Sequence, residues 1–331
     1  MGGQNSQCLF GECILGERVL DNPEWIKVSV LGQKTWRNNQ WALYQGFILA
    51  SHLMPVSEFP RYNIVLQNLW TPLFTGTNFY GTSSGASIIN VGFKSLPIGT
   101  RLQATKLDNH LWEVIIDNNP VGYLKVEHEN DGIYEISPNI DKSQTDYFRT
   151  KITEIAQQIS NQKTPYVFGG MSPTYIMLNQ ITGVDCSGLV RLCYLAYGLE
   201  IPRNAGPQYR AANKLSHGSE LQKADLIFFA NDEQVMEIRH VMIYVGSGWV
   251  IESTGFGLSS KEEAKAKGID LKELGVRAIS IKELIGTNVL DIESGKTVAQ
   301  NGQYVFLGSY FAPENKIQKM RNIALGINDV W

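Results

Sequence analysis

The chain has 331 residues, 43% hydrophobic and 18% charged, with a formal net charge of -3. That length exceeds one average domain and predicts two or three. The near-balanced charge offers no footing for nucleic acid or an anionic membrane as partner, and no apolar run reaches the roughly 18 residues of a transmembrane helix.

The opening stretch, MGGQNSQCLFGECILGE, has neither the basic patch nor the apolar core of a secretory signal. The chain as given therefore reads as cytoplasmic, or as periplasmic or secreted if a leader has been removed. Cys8 and Cys13 would face opposite sides of one strand, and Cys186 and Cys193 are about two helical turns apart, so reduced thiols are expected. With no Cys-x-x-Cys and five histidines, no structural zinc site is expected and no cofactor is called for.

Up to about residue 140 the texture is β. Short alternating runs recur at 24–30 (EWIKVSV), 46–50 (GFILA), 100–107 (TRLQATKL) and 111–117 (LWEVIID), separated by turn-rich pieces such as LDNP and DNNPVG. Trp25, Trp36, Trp41, Trp70 and Trp112 fall here, as core residues or as a ligand platform. The segments GERVLDNPEWIKVSV…YQGFILASHLM and GTRLQATKLDNHLWEVIIDNNPVGYLKVEHE share one order: glycine, strand, turn, tryptophan-bearing strand, then glycine and a final strand. That order resembles two bacterial SH3-type barrels, over 1–60 and 61–140, a family often attached to cell-wall enzymes. The first copy begins at QCLFGE without the leading strand such a barrel has.

From 141 to 331 the pattern changes. DYFRTKITEIAQQISNQ (146–162) places Phe148, Ile152, Ile155, Ala156 and Ile159 at helical spacing. A cysteine-bearing helix follows, then the strand-like runs DLIFFA, HVMIYVG and WVIEST. Helices first and an antiparallel sheet after them predict an α+β domain. Within 260–331, SSKEEAKAKGIDLKELG reads as a charged helix or insertion and GQYVFLGSYF as a final strand, with no chemistry of their own.

The stretch GVDCSGLVRLCYLAYGL carries the first candidate. Asp185 or a neighbour can cap a helix in which Leu189, Val190, Leu192, Cys193, Leu195 and Ala196 form a wide buried stripe. Cys186 then sits in the first turn, where unpaired N–H groups and the helix dipole stabilise a thiolate. A small core residue is the competing reading of Cys186 on this stretch alone, and core is the reading for Cys193. His240 opens HVMIYVGSGWVIEST, two strands joined by GSG, and hairpin spacing sets Glu252 close to opposite it. Thiol, imidazole and carboxylate would make nucleophile, base and orienter.

PYVFGG (165–170), DCSGLV (185–190), IPRNAGPQ (201–208), ADLIFF (224–229) and HVMIYVGSGWVIEST (240–254) occur in the order that marks the NlpC/P60 family of papain-like cysteine peptidases, which this region resembles. With tandem SH3-type barrels ahead of it, the chain looks most like the γ-D-glutamyl-L-diamino-acid endopeptidases that trim murein peptides. The resemblance implies Cys186 as nucleophile, His240 as general base and acid, and Glu252 at a third position that is usually histidine or another polar residue. It implies that Tyr166, Asp185 and Ser187 line the pocket for a free substrate amino end, with Arg203 and Gln208 at further family positions. Glu12 and Tyr44, from the first barrel, would close one side of that pocket. The implied partner is a murein-derived peptide, with no nucleic acid and no membrane. The alternatives are a catalytically weak wall-peptide binding protein and an amidase or acyl transferase of the same fold.

Overall fold

The computed structural model describes residues 5–75, 79–82, 85–88, 92–127, 132–173, 182–231, 237–255, 266–268, 274–285, 303–327 and 331. Among these residues, three larger antiparallel sheets follow one another along the chain, with a separate two-stranded ribbon inserted in the second. The first is β1 (Ile14–Arg18), β2 (Trp25–Arg37) and β3 (Gln40–Leu49), in that order. Asn38 and Asn39 join β2 to β3 with φ of 50° and 60°, the left-handed pair that a two-residue hairpin turn demands.

The second sheet is built from β4 (Ile64–Leu66), β5 (Trp70–Thr75), β8 (Gly92–Pro97), β9 (Arg101–Lys106), β10 (Leu111–Ile116), β11 (Asn119–Lys125) and β12 (Ile133–Glu135), in the order β12-β4-β9-β10-β11-β5-β8. Between β5 and β8, β6 (Phe79–Thr82) and β7 (Gly85–Ile88) pair with each other. The hairpin device recurs at Asp117 and Asn118, φ 51° and 60°, between β10 and β11. Trp112 lies in this sheet's core with Ile64, Leu73, Val114 and Leu124.

The third unit is α+β. Its helices are α1 (Thr145–Asn161), α2 (Cys186–Leu195), α3 (Ala205–Ala211), α4 (Ile281–Ile285) and α5 (Ile317–Ala324). Its strands are β13 (Asn213–Leu215), β14 (Leu226–Ala230), β15 (Ile238–Gly246), β16 (Trp249–Thr254), β17 (Gly275–Ser280) and β18 (Tyr304–Ser309), ordered β13-β18-β14-β15-β16-β17. α1 buries Phe148, Ile152, Ile155, Ala156 and Ile159, the residues its spacing selects. Along β14, Leu226 and Phe228 join the core under the helices, while Ile227 and Phe229 enter a second core on the other face. Covering both faces is what makes LIFFA a continuous apolar run rather than an alternating one. The run YVFLGS is apolar for the same reason, because β18 sits inside the sheet between β13 and β14. Most of the charged run 259–275 lies outside the described residues. No helix among the described residues is long and apolar enough to cross a membrane.

A buried ion cluster joins the three units. Arg191 on α2 grips Glu200 through two hydrogen bonds of 2.6 Å and donates to Glu12, from the segment before β1, at 2.9 Å. Arg101, on β9, stands 3.5 Å from both carboxylates. These four side chains are at most 3% exposed. Burial alone would push the Glu12 carboxyl up, but Arg191 and Arg101 hold it below the ordinary carboxylate range. Removing one partner of such a set leaves an uncompensated buried charge, at a cost of about 3–5 kcal/mol. Glu12→Gln is therefore expected to lower stability by about that amount in chemical denaturation followed by tryptophan fluorescence; a change under about 1 kcal/mol would show that the cluster is not a structural joint.

Candidate active site

Cys186 is the first residue of α2 and is half-buried, while Cys193 on the same helix is fully buried. Asp185 is the N-cap: its backbone is extended and its Oδ1 accepts the Gly188 N–H at 2.6 Å. Leu189, Val190, Leu192, Leu195 and Ala196 are all buried behind the cysteine, so the helix start is held rigidly against the core. The glycines of the flanking motifs have a packing cause. A Cβ on Gly188 would sit 2.4 Å from the Gly170 carbonyl oxygen, and one on Gly170 would sit 2.4 Å from that of Gly183. Thus the segments around PYVFGG and GVDCSG lie backbone against backbone, with Tyr166 and Met171 bridged to Val184, and any side chain there would push the loop off the nucleophile.

His240 lies in β15, opposite Phe229 of β14. The β15–β16 register pairs Ile243 with Ile251 and Tyr244 with Val250, and continued outward it sets Glu252 across from Met242 rather than from His240. The offset is two residues, not one, so Glu252 stays on the face of His240 as a diagonal neighbour. Its Oε2 is 2.6 Å from His240 Nε2, which leaves Nδ1 as the ring nitrogen for Cys186, whose thiol acts on the imidazole electrostatically. Burial on its own would lower the imidazole pKa, but the hydrogen bonds and fields of Cys186 and Glu252 raise it to about 10. The imidazolium is the favoured form at neutral pH. Burial likewise disfavours the Glu252 carboxylate, and His240 and Arg277 outweigh it, holding that carboxyl below its ordinary range. Arg277 reaches Glu252 Oε1 at 2.9 Å through both Nε and Nη2.

Tyr166 is half-buried, and a Cβ on Gly255 would come within 2.6 Å of its ring. Burial, then the nearby Cys186 and Asp185, push its phenol well above the usual range, which places it beside the nucleophile. Asp185 is engaged from several sides. Arg203 donates to Oδ1 at 3.0 Å and Oδ2 at 2.8 Å, the Gly169 N–H reaches Oδ2 at 3.0 Å, and the Ser187 hydroxyl donates to Oδ1 at 3.2 Å. Arg203 is fully buried rather than a surface cation, and it also donates to the Ser187 Oγ at 3.0 Å. Gln208, also buried, donates from Nε2 to the carbonyls of Ser187 and Pro202. Asp185, Ser187, Arg203 and Gln208 thus form one polar brace around the helix start.

The Glu12 carboxylate is drawn into the Arg191–Glu200–Arg101 cluster, and Tyr44, 7% exposed, donates to the Asn5 carbonyl at 3.0 Å. The buried cations of α2 and β9 engage Glu12 directly. The segment before β1 also supplies Ser6, whose Oγ accepts from Arg203 Nε at 2.9 Å, and Gln7. The Gln7 amide accepts from the Met171 N–H at 2.9 Å and donates to Ser172 Oγ at 2.6 Å. Sequence reading missed Ser6, Gln7 and Arg277. Only Arg277 carried a signal, as an outward position in the alternating run GVRAIS.

The NlpC/P60 family profile matches residues 163–270, the segment holding Cys186, His240 and Glu252. The gamma-D-glutamyl-L-lysine dipeptidyl-peptidase of Bacillus cereus (strain ATCC 10987 / NRS 248) is 30% identical over 259 residues, covering 75% of this chain and 68% of that protein. The protein of the same name from Bacillus subtilis (strain 168) is 36% identical over 110 residues, 33% of this chain and 34% of that one. A crystal structure of an NlpC/P60 family protein from Bacillus cereus ATCC 10987 superposes with a TM-score of 0.61 at 23% identity, covering 93% of this chain and 82% of that one. With a relative matched at 30% identity over more than two thirds of its length, and the family profile lying on the thiol, imidazole and carboxylate described above, the chain belongs to the NlpC/P60 family.

Proposed function

We propose that the protein is a cysteine endopeptidase that hydrolyses the bond between γ-D-Glu and the diamino acid of murein stem peptides carrying a free N-terminal L-Ala, in cell-wall turnover or recycling. The observation that carries the reading is the imidazole of His240 held at 2.6 Å by the Glu252 carboxylate and acted on by the Cys186 thiol at the start of α2. The names of the relatives supply the substrate class. In this reading the two N-terminal sheets are SH3-type units, over 1–60 and 61–140, docked on a peptidase domain of 141–331.

Cys186 thiolate attacks the γ-carbonyl, forming an S–C bond. In the first turn of α2 the Asp185 side chain occupies the Gly188 N–H and its carbonyl the Leu189 N–H, so the Cys186 N–H is a donor for the developing oxyanion. Such donors contribute roughly 3 kcal/mol each in comparable sites. His240 protonates the departing amine of the diamino acid as the C–N bond breaks, leaving a thioester. The neutral imidazole then takes a proton from water, hydroxide replaces sulfur at the carbonyl, and the thiolate–imidazolium pair is restored. Glu252 keeps the proton on Nε2 throughout, so that Nδ1 always faces the reaction.

Cys186→Ala is expected to abolish release of the diamino acid from L-Ala-γ-D-Glu-diaminopimelate and from its L-Lys counterpart, by at least about a thousandfold by mass spectrometry. Cleavage by this variant at the parent rate would remove the thiol from the mechanism.

The substrate's amino end is the second test. Asp185 already meets Arg203, so an incoming ammonium would share the carboxylate with that guanidinium and draw on Tyr166 and Ser187 beside it. The free peptide is expected to be cut at least about tenfold faster than its N-acetylated form. Equal rates would leave Tyr166, Asp185, Ser187, Arg203 and Gln208 as bracing of the helix start and nothing more.

A further inference from the structure

We propose that Arg277 is a positioning residue of this site: it clamps Glu252 as an anion in one rotamer and so keeps the shared proton on His240. For turnover the inference rests on the thiol-hydrolase reading above, whereas its effect on the reactivity of Cys186 can be read without any substrate.

Glu252 on β16 and Arg277 on β17 are direct cross-strand partners, so the backbone ladder itself sets their side chains together. The two oxygens of Glu252 are divided between two cations, Oε1 to Arg277 at 2.9 Å and Oε2 to His240 at 2.6 Å. Glu252 is 3% exposed and Arg277 26%. A carboxylate so buried, held by the imidazole alone, has an escape: the proton on Nε2 can cross the short bond to Oε2. Glutamic acid and a neutral imidazole then replace glutamate and imidazolium. The proton count is unchanged, but the thiolate loses its cationic partner, so its affinity for a proton from solvent rises. A fixed guanidinium on the other oxygen opposes that transfer, because a neutral carboxyl would forfeit a charge-assisted contact in a low-dielectric place.

The surroundings leave this task to Arg277. β14 presents Phe229 to His240, with ring centroids 6.1 Å apart. α2 presents Cys186 and Asp185, the latter bound to Arg203, and Tyr166 comes from the loop before it. Arg239, next to His240 in β15, is half exposed and pairs with Glu237 at 2.6 Å. Among the described residues, the cations whose side chains reach Glu252 are His240 and Arg277.

The test is the pH profile of alkylation by iodoacetamide, which forms an S–C bond at the thiolate with loss of iodide, read by peptide mapping at Cys186 in the full chain. Burial raises the Cys8 thiol to about 12 and also raises Cys13, so both stay silent near pH 6. The unsubstituted protein is expected to react rapidly at pH 6. In Arg277→Gln, which keeps a donor but removes the charge, the midpoint should rise by about one unit, so that alkylation at a pH below both midpoints is roughly tenfold slower. Arg277→Lys should fall between the two. With substrate, kcat should drop while KM holds. A parent that alkylates rapidly and a Gln variant with an unmoved profile overturn this inference alone; if the Gln variant does not fold, an unmoved Lys profile does the same. Equal shifts in both variants would overturn the role of charge. A parent inert at pH 6 sinks the hydrolase reading, and this inference with it.

Discussion

The chemistry of this site turns on one short hydrogen bond, His240 Nε2 to Glu252 Oε2 at 2.6 Å. It decides which imidazole nitrogen faces the nucleophile. With Nε2 committed to the carboxylate, Nδ1 is the atom presented to Cys186, and proton transfer between sulfur and nitrogen needs no ring flip. The bond is possible because β15 and β16 pair with an offset that is even. An odd slip would send Glu252 through the sheet to the opposite face, and the imidazole would lose both its orientation and its counter-charge.

A second constraint is how the thiol is delivered. Cys186 stands at the end of a helix whose far side is a continuous apolar stripe and whose near side is pinned by polar groups, Asp185 to Arg203 and Gln208 to Ser187. Backbone contact through Gly188, Gly170 and Gly183 brings the loop carrying Tyr166 against the first turn. Neither device is catalytic in itself. Each removes freedom from Cys186, which for the proposed nucleophile would lower the cost of reaching an attack geometry. The N-terminal segment joins in at a distance: Gln7 holds the Met171 N–H and the Ser172 hydroxyl, and Ser6 accepts from the same guanidinium that braces Asp185.

Local pattern made much of this legible. The spacing of Phe148 through Ile159 specifies α1, the polar-to-apolar switch at Asp185 specifies the start of α2, and GSG between two apolar runs specifies the β15–β16 hairpin. These features depend on residues near one another in the chain. The hairpin register centres on residue 247, within a turn where Gly246, Ser247 and Gly248 all take positive φ, and so sets Glu252 two residues from the position opposite His240. Contacts between distant segments were not legible. The partner of Glu12 is one such contact: Arg191 lies 179 residues away, and no local pattern joins the two. Arg277 was hidden for a different reason: the connection from β16 to β17 is long, so no turn geometry fixes which residue of GVRAIS faces Glu252.

The choice of a carboxylate at the third position makes that hidden arginine intelligible. A neutral orienter holds an imidazole by hydrogen bonding alone and needs no counter-ion when buried. A glutamate stabilises the imidazolium far more strongly in a low-dielectric site, but it brings two liabilities: the desolvation of its own charge, and a basic oxygen within proton-transfer distance of Nε2. Both are met by one cation placed on the oxygen that the imidazole does not use. Glu252 and Arg277 therefore act as a single unit, an ion pair laid across two strands that presents half of its carboxylate to His240. On the proposed mechanism, the acid–base behaviour of Cys186 and His240 is then set from β17, at the edge of the sheet order, by the guanidinium of Arg277.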